Sequence, residues 1–154
     1  MAEDEVFLVV EAPFGSQLYR QALALREAIL RAPLGLTHTE DELSDDAMRQ
    51  HFYAVALGAV VGTVSLRPLD EATLQLKQMA VAEARQREGV GERLLHHAEA
   101  WSAEGGYRFM LIHARAGAEG FYARFDYAIE GDPFEETTLP HVRMTKRLGE
   151  AGSR

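Results

Sequence analysis

The chain contains no cysteine. That excludes a disulfide framework, a thiol nucleophile, a cysteine-based zinc site and iron–sulfur ligation, and it is compatible with a reducing interior. Long hydrophobic runs are missing too. The longest, residues 54–61, is broken by Gly58 and falls far short of the ~20 residues of a bilayer-spanning helix, so no membrane partner is expected. Basic residues are outnumbered, 16 Lys and Arg against 24 Asp and Glu, for a net charge of −8. A protein that tracks nucleic-acid phosphates needs a positive field, so no nucleic-acid partner is expected, while a cationic small molecule is weakly favoured.

Other absences narrow the chemistry. Ser16, Ser44, Ser65 and Ser102 lack any Gly-x-Ser-x-Gly setting, which argues against a serine hydrolase. His96 and His97 lack the glutamate of a His-Glu-x-x-His pair, and no metal site is expected. The acidic stretch THTEDELSDD, residues 37–46, has neither the regular chelating spacing nor the glycine turn of a calcium loop. It reads as a charged surface loop with a short helix at its end, and the flanking His38 and His51 read as solvated. Residues 1–5 are acidic and no basic stretch leads into an apolar one, so no leader is read and the expected compartment is the cytoplasm.

What is present is a chain of 154 residues, 47% hydrophobic and 26% charged. This is a globular composition, and the length predicts one domain over residues 1–154 with a core of its own. Residues 6–10 (VFLVV) predict a buried strand. Leu18, Ala22, Leu25 and Ile29 recur at helical spacing, with Ser16 placed to cap the start and Pro33 and Gly35 to close the end. Residues 51–57 and 59–66 predict two strands joined by a tight hairpin at Gly58. Along residues 74–81 (LQLKQMAV) the apolar alternation slips once between Leu76 and Met79, which predicts a bulge near Gln78. Helical period returns over residues 90–101. A strand at 109–113, a short helix at 118–125 and strands at 127–130 and 142–144 follow, with a loop over 132–140 and a frayed tail after Leu148. Strands alternate with inserted helices, so the fold class is α/β or α+β around one sheet.

The segment MAVAEARQREGVGE, residues 79–92, is the most informative. A strand ends, a polar loop follows, and two glycines open a helix. Unpaired backbone N–H groups and the positive end of the helix dipole make such a turn an anion site. The dinucleotide fingerprint is excluded because Leu94 stands where its third glycine would be, and a Walker loop is excluded because no Gly-Lys-Ser/Thr follows.

These residues carry a resemblance. Gln86-Arg87-Glu88-Gly89-Val90-Gly91, after Met79-Ala80-Val81, resembles the Gln/Arg-x-x-Gly-x-Gly/Ala motif of the GNAT N-acetyltransferase family. Residues 118–127 (AEGFYARFDY) resemble that family's Ala-x-x-Phe-Tyr segment, and residues 25–35 and 139–144 resemble one subgroup, with an LR-x(3)-LR-x-PLG and a PH-x-x-M segment. The resemblance implies a single GNAT-type domain with a mixed, mostly antiparallel sheet of about six to seven strands and helices on both faces. It implies transfer of acetyl from acetyl-CoA to a primary amine of a small molecule or peptide. The backbone of Gln86, Arg87, Glu88, Gly89, Val90 and Gly91 would hold the cofactor pyrophosphate. Met79, Ala80 and Val81 would pair with its pantetheine arm, and the Val81 N–H would meet the thioester oxygen. Tyr122 matches the family's frequent general acid and also lies against the cofactor. Arg115 stands where many members carry Asn, in a position to meet the cofactor. Asp126 replaces a usual Gly, and Asp tolerates left-handed backbone. Pairing of sheet edges into a homodimer is common in such folds.

An amine nucleophile must lose a proton. His113, His141, Glu135 and Glu136 are candidates for the base, and His141 is preferred because its segment recurs in the subgroup. The rival reading is a non-catalytic acyl-CoA-binding module with the same fold and no competent base.

Overall fold

The computed structural model describes residues 6–149. The acidic opening at residues 1–5 and the far end of the predicted frayed tail lie outside the described residues. The strands are β1 (Leu8–Glu11), β2 (Gln50–Ala56), β3 (Ala59–Pro68), β4 (Thr73–Val81), β5 (Phe109–Arg115), β6 (Ala128–Ile129), β7 (Phe134–Glu136) and β8 (Leu139–Arg147). The α-helices are α1 (Gln17–Arg26), α2 (Glu40–Asp45), α3 (Val90–Glu104) and α4 (Glu119–Ala123). The eight strands form a mixed, mostly antiparallel sheet. The eighth is β7, which lies inside the segment expected to be a loop. No helix among the described residues is long and apolar enough to cross a membrane.

The described residues pack as two compact units. The first comprises residues 6–67 and Gln78–Ala98. Here β1, β2 and β3 form an antiparallel meander, and Ala56 pairs with Ala59 across a two-residue turn. Leu57 and Gly58 both take positive φ, 51° and 78°, the geometry that matches the twist of a tight hairpin. α1 starts where the sequence predicts, with the Ser16 hydroxyl accepting from the Tyr19 N–H at 3.2 Å. It runs into a π turn at Glu27–Arg31 and a 3-10 turn at Ala32–Leu34, closed by Gly35 at φ +72°. Alternation along β2 sends Tyr53 into an apolar cluster with Tyr19 and Ala22 of α1. Phe52, of the opposite parity, meets His97 of α3 edge-on at 5.0 Å, so α1 and α3 cover opposite faces. A Cβ at Gly62 of β3 would lie 2.7 Å from Val90 Cγ1 and 3.0 Å from Leu94 Cδ1. Only glycine lets α3 sit this close.

The second unit comprises Pro68–Lys77 and residues 99–149. The start of β4 runs parallel to β5, from Thr73 opposite Phe109 to Leu76 opposite Ile112. β5 pairs antiparallel with β8 along its whole length, and β6 and β7 add to β8. Met110, Ile112 and Met144 are fully buried. Within this unit, Glu99 accepts from the Tyr127 hydroxyl at 2.7 Å and from Lys146 Nζ at 3.0 Å.

Two further expectations are overturned. The strand predicted as buried over residues 6–10 is β1, and Val6 before it and Leu8 within it are exposed. The acidic stretch 37–46 is not simply a solvated surface loop, and neither His38 nor His51 is solvated. Thr39 and Glu42 form a reciprocal capping box that starts α2. Asp46, in the following 3-10 turn Asp46–Met48, is wholly buried, and His51 and the His38 ring are buried with it. A carboxylate leaves water at this depth only when paired. Asp46 is held by Arg26 at 2.8 Å, Arg49 at 3.1 Å and the Tyr19 hydroxyl at 2.6 Å. Charge density alone gave no hint of those partners, which come from α1 and from the approach to β2.

Candidate active site

The first group of predicted residues lies in the first unit, where β4 ends and α3 begins. Gln78 takes φ +58° in mid-strand, at the position where the slipped alternation predicts a bulge. Left-handed backbone costs a non-glycine residue about 1–2 kcal/mol, and such strain is found where a strand is re-aimed. Past it, Ala80 is buried while Met79 and Val81 are half-buried. The Ala82 N–H donates to Val61 O at 2.8 Å and pins the end of β4 to β3 within this unit. A 3-10 turn at Glu83–Arg85 leads into the loop. Gln86 folds back so that its side-chain amide donates to Val81 O at 3.0 Å.

Residues 86–89 are exposed. Arg87 and Gly89 take φ +71° and +86°, turning the chain so that α3 starts at once, with the Arg93 N–H reaching Gly89 O at 3.0 Å. A Cβ at Gly89 would meet nothing within 4 Å, so the glycine serves its dihedral rather than tight packing. The first amides of α3 have no acceptor within the helix. An exposed, positively curved backbone turn opening a 15-residue helix is chemically suited to a phosphate or pyrophosphate.

The second group lies in the second unit. Tyr122 of α4 is buried, and burial pushes its phenol up to about 12. Its ring meets Phe121 at 5.1 Å and Tyr127 at 5.9 Å, both edge-on. Arg115 ends β5, and its carbonyl accepts from the Ala118 N–H at 2.8 Å. Asp126 takes φ +75°, the left-handed turn expected of it.

His141 of β8 is buried and sits opposite Arg115 in the sheet register. Its Nδ1 lies 2.9 Å from Leu139 O. A carbonyl only accepts, so Nδ1 carries the proton and Nε2 is the basic nitrogen of the neutral ring. Nε2 lies 3.8 Å from Glu136. The same carboxylate accepts from His113 Nδ1 at 3.0 Å, which holds Glu136 below the usual carboxylate range. Phe134 lies against both imidazoles. The structure thus brings together three of the base candidates, His113, Glu136 and His141. The link is the β7–β8 hairpin, whose turn residues Thr137 and Thr138 take positive φ without a glycine, so no turn signal marked it in the sequence.

Among the described residues, no group of three or more His, Cys, Asp or Glu is placed to hold a metal ion. Sequence reasoning also missed the buried Arg26–Asp46–Arg49 network.

Residues 33–148 match the model of the acetyltransferase (GNAT) domain family. A protein of Lactobacillus plantarum assigned as an N-acetyltransferase superposes with a TM-score of 0.83 at 22% identity, over 93% of this chain and 99% of that one. A GNAT family acetyltransferase from Elizabethkingia anophelis, solved with acetyl-CoA bound, gives 0.73 at 18% identity over 92% and 98%. Among curated proteins, the uncharacterised YyaT of Bacillus subtilis strain 168 is 24% identical over 131 residues, 83% of this chain and 88% of YyaT.

Proposed function

The chain belongs to the GNAT acetyltransferase family, and from that premise we propose that it moves the acetyl group of acetyl-CoA directly to a primary amine of a small molecule or peptide. The observation that carries the reading is the turn at residues 86–89, exposed and opening α3 directly after the strained end of β4. The backbone of Gln86, Arg87, Glu88, Gly89, Val90 and Gly91 would take the pyrophosphate of the bound cofactor. Met79, Ala80 and Val81 would pair with its pantetheine arm as an added strand. Arg115 and Tyr122 complete the proposed cofactor contacts. A structure of a family relative with acetyl-CoA bound supports that choice of cofactor.

The chemistry asked of the protein is modest. The amine nitrogen attacks the thioester carbon, the Val81 N–H stabilises the negative charge developing on the carbonyl oxygen, and the C–S bond breaks. The departing thiolate takes the Tyr122 proton. His141 Nε2 takes the proton of the amine, directly or through one water, and Glu136 opposes the positive charge the imidazole then carries. Holding amine and thioester in line supplies the largest share, on the order of 7–11 kcal/mol. No acyl-enzyme is needed, in keeping with a chain that has no cysteine.

The test is release of CoA thiol from acetyl-CoA with polyamines, aminosugars, amino acids and lysine peptides as acceptors. Amine-dependent release is expected. Tight binding of acetyl-CoA with no release from any acceptor would favour the non-catalytic binding module instead.

A further inference from the structure

The buried polar network of the first unit is incomplete. Arg26, only 2% exposed, donates from Nη1 to Asp46, but its Nε and Nη2 are buried and have no hydrogen-bond partner. These two nitrogens form one edge of the guanidinium, with parallel N–H bonds that match the two oxygens of a carboxylate. The Tyr53 hydroxyl, on a fully buried side chain of β2, also has no partner. Tyr53 belongs to one apolar cluster with Tyr19, whose hydroxyl meets the same Asp46 oxygen as Arg26. Its ring stacks on His51, whose Nε2 meets the Asp46 carbonyl, and the charges of Arg26 and Asp46 both reach its phenol. Both ring nitrogens of His38 are likewise buried without a hydrogen bond, Nε2 lying 3.9 Å from Glu27 and Nδ1 3.8 Å from Glu42.

Unmet donors at this depth are costly, since each forfeits its water without replacement. Here they come from α1, β2 and the loop before α2. Nε offers one hydrogen, Nη2 two, the phenol one and a neutral imidazole one. A water supplies two lone pairs and no charge, whereas a carboxylate supplies about four lone-pair sites and a negative charge. The wholly buried Asp46 is shared by two guanidiniums, and Arg49 spends its Nε and Nη2 on Asp45 at the rim. The charges of Arg26 and Arg49 are matched by those of Asp45 and Asp46, so what Arg26 lacks is acceptors for Nε and Nη2. A dianionic phosphate would add a second charge beside Asp45, Asp46, Glu27 and Glu42, and is disfavoured.

We propose that the Nε–Nη2 edge of Arg26 and the Tyr53 hydroxyl form a binding site for the carboxylate of an amino-acid-type ligand. That this ligand is the acetyl acceptor rests on the acetyl-transfer reading; the carboxylate site itself does not.

The test uses the free L-amino acids and their matched carboxamides on the full chain. Calorimetry without acetyl-CoA should show at least one amino acid binding and its amide binding at least tenfold more weakly. Tyr53→Phe should weaken that binding about tenfold without lowering the melting temperature, because the hydroxyl it deletes is unpartnered. Arg26→Lys keeps the charge but loses the fork, and the amino-acid-to-amide preference should collapse toward one. Acetyl-CoA binding serves as the control for folding, and Tyr53→Phe carries the test if Arg26→Lys does not fold. Absence of heat with every amino acid, equal binding of acids and amides, or binding untouched by Tyr53→Phe would each overturn the site. A drop in melting temperature in Tyr53→Phe would do so too, by marking a water-filled structural network. Amino acids that bind but are never acetylated, in a protein that releases no thiol with any amine, would sink the acetyl-transfer reading alone.

Discussion

The Tyr122 phenol is a weaker acid than the role proposed for it suggests. An ordinary tyrosine stands near 10 and a thiol near ~8.5, and burial raises this one to about 12. Handing its proton to a departing thiolate is therefore uphill, and its contribution should stay within the usual range of general-acid help. Tyr122→Phe is expected to lower kcat about 10²-fold with little change in acetyl-CoA affinity, read by thiol release and by direct titration of the cofactor. The raised value also fixes a pH signature. In the proposed mechanism the phenol acts protonated, a form lost only as pH rises through about 12, so no alkaline fall in rate below pH 10 belongs to Tyr122. A fall in that range that disappears in the Phe variant would contradict the assignment.

At the scale of elements, two glycines on the same stretch of packing do different work. Gly62→Ala places a Cβ at 2.7 Å from Val90 Cγ1, at the first turn of α3. Overpacking of this kind costs about 1–3 kcal/mol, and moving the start of α3 should also weaken acetyl-CoA binding. Gly89→Ala meets no atom within 4 Å but must hold φ +86°, a cost of about 1–2 kcal/mol from the dihedral alone. Urea unfolding of both variants beside cofactor titration separates the two causes. The helices, the hairpin at Gly58 and the slip at Gln78 were legible because each follows from local periodicity or a turn residue. The turn at residues 86–89 was legible as a turn because glycine spacing and a helix start coincide in ten residues. The β7–β8 hairpin was not, since Thr137 and Thr138 adopt left-handed backbone that their types do not advertise. Nor was the burial of Asp46, because pairing with Arg26 and Tyr19 spans 20 and 27 positions of sequence and no local pattern encodes it.

For the whole molecule, the buried tyrosines set an alkaline limit on stability. Tyr53 and Tyr122 are raised to about 12 by burial. Tyr19 is pushed higher still by burial and by its hydrogen bond to Asp46, and Tyr127 by burial and the Glu99 carboxylate. Each phenol ionises near 10 once unfolded, so above pH 10 the unfolded chain releases protons that the folded chain retains. The unfolded state then binds fewer protons, and stability falls as pH rises. The stabilisation is fully present below pH 10 and is lost through about 12, at about 1.4 kcal/mol per pH unit for each tyrosine involved. With four such groups, a fold of ordinary marginal stability, about 5–15 kcal/mol, should unfold cooperatively between pH 10 and 12. Absorbance of tyrosinate and far-UV circular dichroism should change together there, since the phenols titrate because the fold opens. Ionisation of all the tyrosines near pH 10 with the dichroism intact would show that these side chains are not buried as described. Tyr53→Phe bears on this as well: removing one of the four should move the midpoint to higher pH, in the same variant whose resting stability measures the unpartnered hydroxyl.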